Sequence, residues 1–380
     1  MKISEKPEWG ALATFVPNKD LPVYNWFYYK EGFSRDLVSR LIERFKIEKG
    51  QTVLDPFCGS GTTLLACREA GINSVGFDVH PVAIFAARVK TGRYEAGELK
   101  DVAKSLLKIR FQRPEIDIRS HIVRGAFNIH TLEDVLFFRN EIMAMEDAGI
   151  RDFFILALMN VAIKCSYAWK DGAVIKMRKH PVPPLRDILR RQLFRMIGDC
   201  GRFPKTKALC EAEIGDARRM KLKDNSIDAV ITSPPYLNKI EYTKVYSIEE
   251  ELFFEKKGVP SLRSYIGSED DRVIDEENKI ESIIDANDLP LPAKAYFNDM
   301  YEAIKELQRV CKNPAKVGIV VGNGCFPTGV VESDIILSKI AEKLGFDAQE
   351  ILVLNKRWCT RNRVEKVGIT RESLLIWEKR

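Results

Sequence analysis

Apolar residues recur at helical spacing at Leu37, Val38, Leu41, Ile42 and Phe45, with Ser34 in the N-cap position. This predicts a helix through residue 46, and Gly50 closes the unit. Thr52-Val53-Leu54-Asp55 then reads as a short strand; a glycine-bearing turn follows, and Leu64-Leu65-Ala66-Cys67 opens a helix. Ser74-Val75-Gly76-Phe77-Asp78 predicts the next strand. From Glu98 to about Cys210 the pattern is mostly helical, as in Leu132 to Phe138, and it includes the apolar run Phe153 to Leu158. Strand signals resume at Glu213-Ile214-Gly215-Asp216-Ala217 and at Asp228 to Ile231. They are followed by a helix over Tyr296 to Val310, a strand over Val317 to Gly322 and a helix over Asp334 to Leu344. Gln349 to Leu354 and Ser373 to Trp377 read as the last strands, with an arginine-rich loop from Trp358 to Arg371 between them. The first twenty residues show no strong periodicity. Strands alternating with helices specify an α/β fold with a mostly parallel, doubly wound, Rossmann-like sheet. The expected organisation is an aromatic segment and helix at 1–50, a sheet domain at 51–97 and 210–380, and a helical basic insertion at 98–209.

Composition narrows the setting. A chain of 380 residues that is 45% hydrophobic and 30% charged is globular and can bury a large core. No apolar run approaches the roughly 18 residues of a membrane span, and no secretory leader is read at the start, so a cytoplasmic protein is expected. Of the eight cysteines none forms a C-x-x-C pair, and the four histidines do not stand at ligand spacing beside them. Buried free thiols are expected, with no disulfide scaffold and no metal site. The absence of H-x-E and P-C-x-x-C patterns also removes zinc deaminases. The net charge of +6 is unevenly spread. Lys164 to Lys207 holds 12 basic against 3 acidic residues, the balance of a polyanion-binding face or of a solvated helical face. Glu249 to Asp288 holds 5 basic against 13 acidic residues and reads as a surface loop.

The turn after the first sheet-domain strand, Asp55-Pro56-Phe57-Cys58-Gly59-Ser60-Gly61-Thr62-Thr63, has glycines that admit close backbone approach and a helix start that offers free N–H groups. Asp78 ends the following strand 23 residues after Asp55, the spacing at which a Rossmann-like sheet grips ribose hydroxyls. The loop lacks both the third glycine of the dinucleotide fingerprint and the G-K-[ST] of a P-loop, and Asp55 would repel a pyrophosphate. A ligand with a cationic end and a ribose fits better. S-adenosylmethionine has both, with Asp55, Phe57, Cys58, Gly59, Gly61 and Thr62 around its charged end and Asp78 at the ribose. Asp216 stands where an acid could reach the adenine amine.

The second chemical stretch is Thr232-Ser233-Pro234-Pro235-Tyr236, at the end of an apolar strand. Each proline fixes φ, removes an N–H and pushes its predecessor towards extended geometry. What results is a stiff row of carbonyl acceptors, a hydroxyl and an aromatic ring, suited to a flat base with an exocyclic amine. A bare Ser-Pro-Pro is equally an ordinary strand-terminating turn. Asn238 and Tyr242 follow closely as further candidates for substrate contact. Trp169, Lys170, Arg178 and Lys179 of the basic stretch are candidates for nucleic-acid contact, with core packing of the aromatic as the alternative.

Taken together, these motifs resemble the class I S-adenosylmethionine-dependent amino-methyltransferases that modify N4 of cytosine or N6 of adenine in nucleic acids. Asp55 to Thr63 looks like their cofactor loop, Gly76-Phe77-Asp78 like their ribose-binding acid, and Ser233-Pro234-Pro235-Tyr236 like their catalytic tetrad. The segment near Phe33 is similar to their upstream cofactor-flanking motif. Serine at the tetrad's first position implies N4 of cytosine. The insertion between the ribose acid and the adenine-contacting strand is an unusual place for a DNA target-recognition domain. It looks more like archaeal relatives that modify cytosine in ribosomal RNA, so the resemblance implies RNA ahead of DNA, with one or two methyls left open. A DNA N4-cytosine or N6-adenine modification methylase and a protein glutamine methyltransferase are the alternatives. A catalytically silent RNA-binding module is a further one.

Overall fold

The computed structural model describes residues 1–171, 174–237, 245–254, 280, 281, 283, 289–361 and 364–380. Its strands are β1 (Lys2–Glu5), β2 (Thr52–Asp55), β3 (Asn73–Asp78), β4 (Ala168–Asp171), β5 (Val174–Met177), β6 (Cys210–Ile214), β7 (Ile227–Thr232), β8 (Cys311–Gly322), β9 (Gly324–Phe326), β10 (Gly329–Val331), β11 (Phe346–Arg361) and β12 (Glu365–Lys379). Among the described residues, eight of them form one sheet in the order β1-β11-β12-β8-β7-β2-β3-β6. Every pairing is parallel except the two that β12 makes, with β11 and with β8. The mostly parallel, doubly wound sheet is therefore as expected. Val53, Leu54, Val230, Ile231, Val317 and Ile319 on its central strands are all buried, as strands covered by helices on both faces require.

The chain leaves β2 towards β3 on one side, while β7 lies on the other. The loops after β2 and β7 thus meet at the point where the winding reverses, outside the carboxyl ends of the strands, where open α/β sheets bind ligands.

Several elements differ from the sequence pattern. β1 adds an edge strand parallel to β11 (Lys2↔Glu350, Glu5↔Val353), although four residues are too few to carry a periodicity. The strand ending near Asp216 stops at Ile214, and Asp216 sits beyond it in a turn bridged to Arg219. The expected loop from Trp358 to Arg371 is instead largely strand. β11 and β12 pair from Phe346↔Lys379 out to Arg361↔Glu365, so charged residues continue a ladder that the apolar pattern alone ends at Leu354. Cys325 and Cys359 form a disulfide between β9 and β11, with Cα atoms 5.5 Å apart, correcting the expectation of free thiols throughout. They are 34 residues apart in sequence, and only the sheet register brings them together.

The insertion comprises helices Ala96–Lys108, His121–Ala126, Ile129–Met143, Ala148–Lys164 and Leu185–Arg202, with the β4–β5 hairpin between the last two. Its core is continuous with the N-terminal aromatics: Trp26, Phe27, Phe153, Phe154, Leu189 and Leu193 belong to one buried cluster. Trp26 Nε1 donates to Asp199 (2.9 Å), and Asn160 donates to the Trp26 carbonyl (2.7 Å). The aromatic segment and the insertion therefore share one core. Ser34 does cap its helix, Arg35–Phe45, by accepting from Leu37 N (3.2 Å). Among the described residues no helix is long and apolar enough to cross a membrane.

Candidate active site

The glycine-bearing turn between β2 and helix Thr62–Ala70 folds back onto the tip of β3. Gly59 and Gly61 adopt φ of +49° and +81°, conformations that a side chain would strain. Gly59 also has no room for a Cβ, which would stand 2.8 Å from the Tyr29 ring. The turn is held by Cys58 N donating to the Phe77 carbonyl (2.9 Å) and by Gly59 N donating to Asp78 Oδ2 (2.9 Å). His80 N donates to the other carboxylate oxygen of Asp78 (2.8 Å).

Asp55 is buried at the end of β2 and accepts from Thr232 Oγ1 (2.6 Å) and Phe57 N (3.1 Å). Burial raises its carboxyl to about 6; hydrogen bonds from Thr232, Thr63 and Phe57 pull the other way, and the nearby Asp78 adds to the rise. Burial likewise raises Asp78 to about 6 against three backbone hydrogen bonds. Desolvation is the largest cause for both, and among the described residues no cationic side chain is one of the groups that offset it. A pair of carboxylates that no cation among the described residues offsets fits a cationic, ribose-bearing ligand and opposes a phosphate. These observations favour S-adenosylmethionine on the chemistry of the site itself.

The bond from Thr232 to Asp55 joins this loop to the tetrad. Ser233 Oγ donates to the Val320 carbonyl (3.0 Å), which commits its proton and leaves hydroxyl lone pairs as acceptors. The Tyr236 hydroxyl donates to Glu372 Oε1 (3.0 Å), and Asn355 Nδ2 donates to Glu372 Oε2 (2.7 Å). The Tyr236 ring lies on Gly322, where a Cβ would come within 2.6 Å of its Cδ2. Gly322, Glu372 and Asn355 thus set the ring. Their distance along the chain hid them from a sequence reading, and only the β8–β12–β11 register unites them.

A second group closes over the loop. The Tyr246 ring stacks on Tyr29 (centroids 5.4 Å apart, 14° between planes) and its hydroxyl donates to Glu31 (3.0 Å). Lys170 Nζ lies 3.4 Å from the Tyr246 ring centroid and 2.7 Å from Glu249, which is buried. His80 Nδ1 accepts from Ala83 N (3.4 Å), which leaves Nε2 to carry the proton of the neutral ring, 3.3 Å from Glu250. Burial lowers His80 to about 4 and raises Glu250 to about 7. Lys90, inside helix Pro81–Thr91, is also buried and donates to Ser60 Oγ (3.1 Å) and the Phe27 carbonyl (3.3 Å); burial lowers it to about 7.

The sequence candidates thus divide. Asp55, Phe57, Cys58, Gly59, Gly61, Thr62 and Asp78 gather with Ser233 to Tyr236 at one sheet edge. The carboxylate of Asp216 is held by Arg218 through both oxygens (2.6–3.1 Å), and Arg218 also reaches Asp299 (2.7 Å). Lys170, expected as a nucleic-acid contact, is half-buried and lies against Glu249 and the Tyr246 ring. On β4, successive side chains take opposite faces, so Trp169 is exposed while Lys170 turns inward. Arg178 and Lys179 are exposed. Asn238 and Tyr242 lie outside the described residues. Among the described residues no cluster of three or more metal-ligating side chains forms.

The mostly parallel α/β sheet and the likenesses that follow are those of a methyltransferase with S-adenosylmethionine as its cofactor. Residues 10–88 match the family described as DNA methylase. The chain is 28% identical to the Type II methyltransferase M.BsoBI of Geobacillus stearothermophilus, over 97% of this chain and 88% of that protein. It is 27% identical to the Type II methyltransferase M.AvaI of Nostoc sp., over 90% and 83% respectively. A shorter stretch, 28% of this chain and 20% of the other, is 34% identical to the Type II methyltransferase M.MjaII of Methanocaldococcus jannaschii. These likenesses support the N4/N6 methyltransferase family. They give no support to the expected preference for ribosomal RNA, and the DNA alternative fits them better.

Proposed function

We propose that this chain methylates the exocyclic amine of a base in DNA, with N4 of cytosine as the acceptor. The observation that carries the reading is the 2.6 Å bond from Thr232 to Asp55, which ties the acceptor tetrad to the cofactor loop. The description DNA methylase and the Type II methyltransferase relatives support DNA as the substrate. Serine at residue 233 supports cytosine over adenine, through the resemblance of the tetrad.

When bound, S-adenosylmethionine supplies an electrophilic methyl group. Asp55 and the turn from Phe57 to Thr62 would hold its charged end, Asp78 its ribose, and Asp216 is the candidate for its adenine amine. The amine of cytosine is a poor nucleophile because its lone pair is delocalised into the ring. Ser233 Oγ, its own proton directed at Val320, accepts one amine hydrogen, and the Pro234 carbonyl accepts the other. Holding both hydrogens favours a pyramidal nitrogen and returns electron density to it. Tyr236, fixed by Glu372 and Gly322, provides the stacking face. Fixing the nitrogen in one orientation is worth up to about 7–11 kcal/mol in favourable cases. Serine is too weak a base to remove a proton beforehand, so the proton leaves once the alkylated nitrogen has become acidic. In duplex DNA the target base must be flipped out, at a cost of a few kcal/mol.

The test is methyl transfer from labelled S-adenosylmethionine to genomic DNA and to total RNA, both from cells lacking this gene, followed by separation of nucleosides by mass spectrometry. Label in N4-methyldeoxycytidine is the expected result. Label in N6-methyldeoxyadenosine overturns the base assignment, and label confined to ribonucleosides overturns DNA as the substrate.

A further inference from the structure

Beyond Asn355 and Glu372, where the Tyr236 hydroxyl is fixed, β11 and β12 leave the sheet as a two-stranded ribbon on the carboxyl edge. Its pairs run from Lys356↔Arg371 through Trp358↔Ile369 to Arg361↔Glu365. Six residues of β11 carry it about 20 Å past the tyrosine's anchor, at roughly 3.3 Å per residue. From Lys356 to Arg371 the sequence has six basic residues against one acidic residue. Lys356, Arg357, Arg361 and Lys366 are exposed, and Trp358 and Ile369 are opposite each other, 56% and 47% exposed. Lys366 Nζ stands 4.4 Å from the Trp358 ring centroid. Such a ribbon would be floppy alone, but three contacts brace it. Cys359 is bonded to Cys325 of β9, Arg361 Nε donates to the Pro327 carbonyl (3.0 Å), and Gly368 packs so closely on Val330 that a Cβ would come within 2.7 Å of it.

We propose that this ribbon is a duplex-gripping arm, laid along DNA beside the flipped base, with Arg357, Arg361 and Lys366 on phosphates and Trp358 against bases or sugars. The proposal rests on the DNA reading above and adds where the duplex is held. Charge complementarity selects a polyanion. The form suits a duplex, since the major groove, roughly 12 Å wide, admits a two-stranded β-ribbon. Position supports it too: the strand pair that anchors the stacking tyrosine also forms the base of the arm, so the arm and the target base lie on one edge of the sheet.

The experiment uses the full chain, a duplex oligonucleotide carrying a site it methylates, and three variants: R357Q/K366Q, W358A and R357K. The expected result for R357Q/K366Q is a KM for DNA raised at least about tenfold, with kcat and the calorimetric affinity for S-adenosylmethionine unchanged. The slope of log affinity against log salt should fall by about two, since each phosphate contact contributes about 0.9. W358A should raise KM with little change in salt slope, and R357K should keep most of the wild-type affinity. If wild-type protein methylates DNA while R357Q/K366Q keeps its KM and salt slope and W358A keeps its KM, the arm is overturned and the DNA reading stands. If wild-type protein neither binds nor methylates any duplex, both fall together. Unchanged cofactor affinity in the variants distinguishes a lost contact from a damaged fold.

Discussion

The carboxyl edge of the sheet and the basic insertion are both rich in polar side chains, but they use them differently. At the edge, polar groups meet in short bonds that tie the cofactor loop, the tetrad and the neighbouring strands together: Thr232 to Asp55, Ser233 to Val320, Tyr236 to Glu372. In the insertion, part of the basic surplus is consumed by the fold. Lys170 pairs with buried Glu249, Arg186 donates to the carbonyls of Leu107 and Ile109, and Arg202 reaches buried Asp199. A surplus of charge in the sequence is therefore not the same quantity as a basic surface. Side-chain direction decides how much of it meets solvent.

The sharpest way to break this contrast is at Lys170. If it is structural, Lys170→Ala leaves Glu249 buried without its partner and lowers unfolding stability by about 3–5 kcal/mol in denaturant titration. The salt slope of DNA binding should stay unchanged; a normal melting transition with a reduced slope would return Lys170 to the nucleic-acid face. At the edge, Tyr236→Ala should cut methyl transfer by about 10²-fold or more while leaving calorimetric cofactor affinity intact. A fully active variant would sink the tetrad assignment. Asp78→Ala should weaken cofactor binding by roughly tenfold or more, since it removes both the proposed ribose acceptor and the group that holds Gly59 and His80.

The pH dependence of the edge has a defined sign. Asp55 and Asp78 stand near 6 in the folded chain against 3.8 for an ordinary aspartate, so the folded state retains their protons between about pH 4 and 6. Their stabilising contribution is fully present below the unfolded value and is lost as pH rises through about 6. A cationic ligand favours the ionised forms. Cofactor binding should therefore strengthen from pH 5 to 7 and release protons, measurable by calorimetry in buffers of different ionisation enthalpy. The smallest effect is expected from Arg190→Gln with Arg191→Gln, both exposed on helix Leu185–Arg202, with no more than about 0.5 kcal/mol lost in stability.

The sequence by itself determined the alternation of strands and helices, the turn with Gly59 and Gly61, the acids at residues 55 and 78, and the rigid tetrad. All of these are local: spacing, glycine φ and proline geometry act within a few residues and can be read in order. Only the tertiary structure decided what those pieces face. It set Thr232 on Asp55, placed Gly322 and Glu372 around Tyr236, and turned Lys170 onto Glu249. It also joined Cys325 to Cys359 and made a paired ribbon of an arginine-rich stretch. Each of these depends on a register between distant strands or on which face a side chain takes, and burial and pairing fix those choices only once the whole sheet has formed.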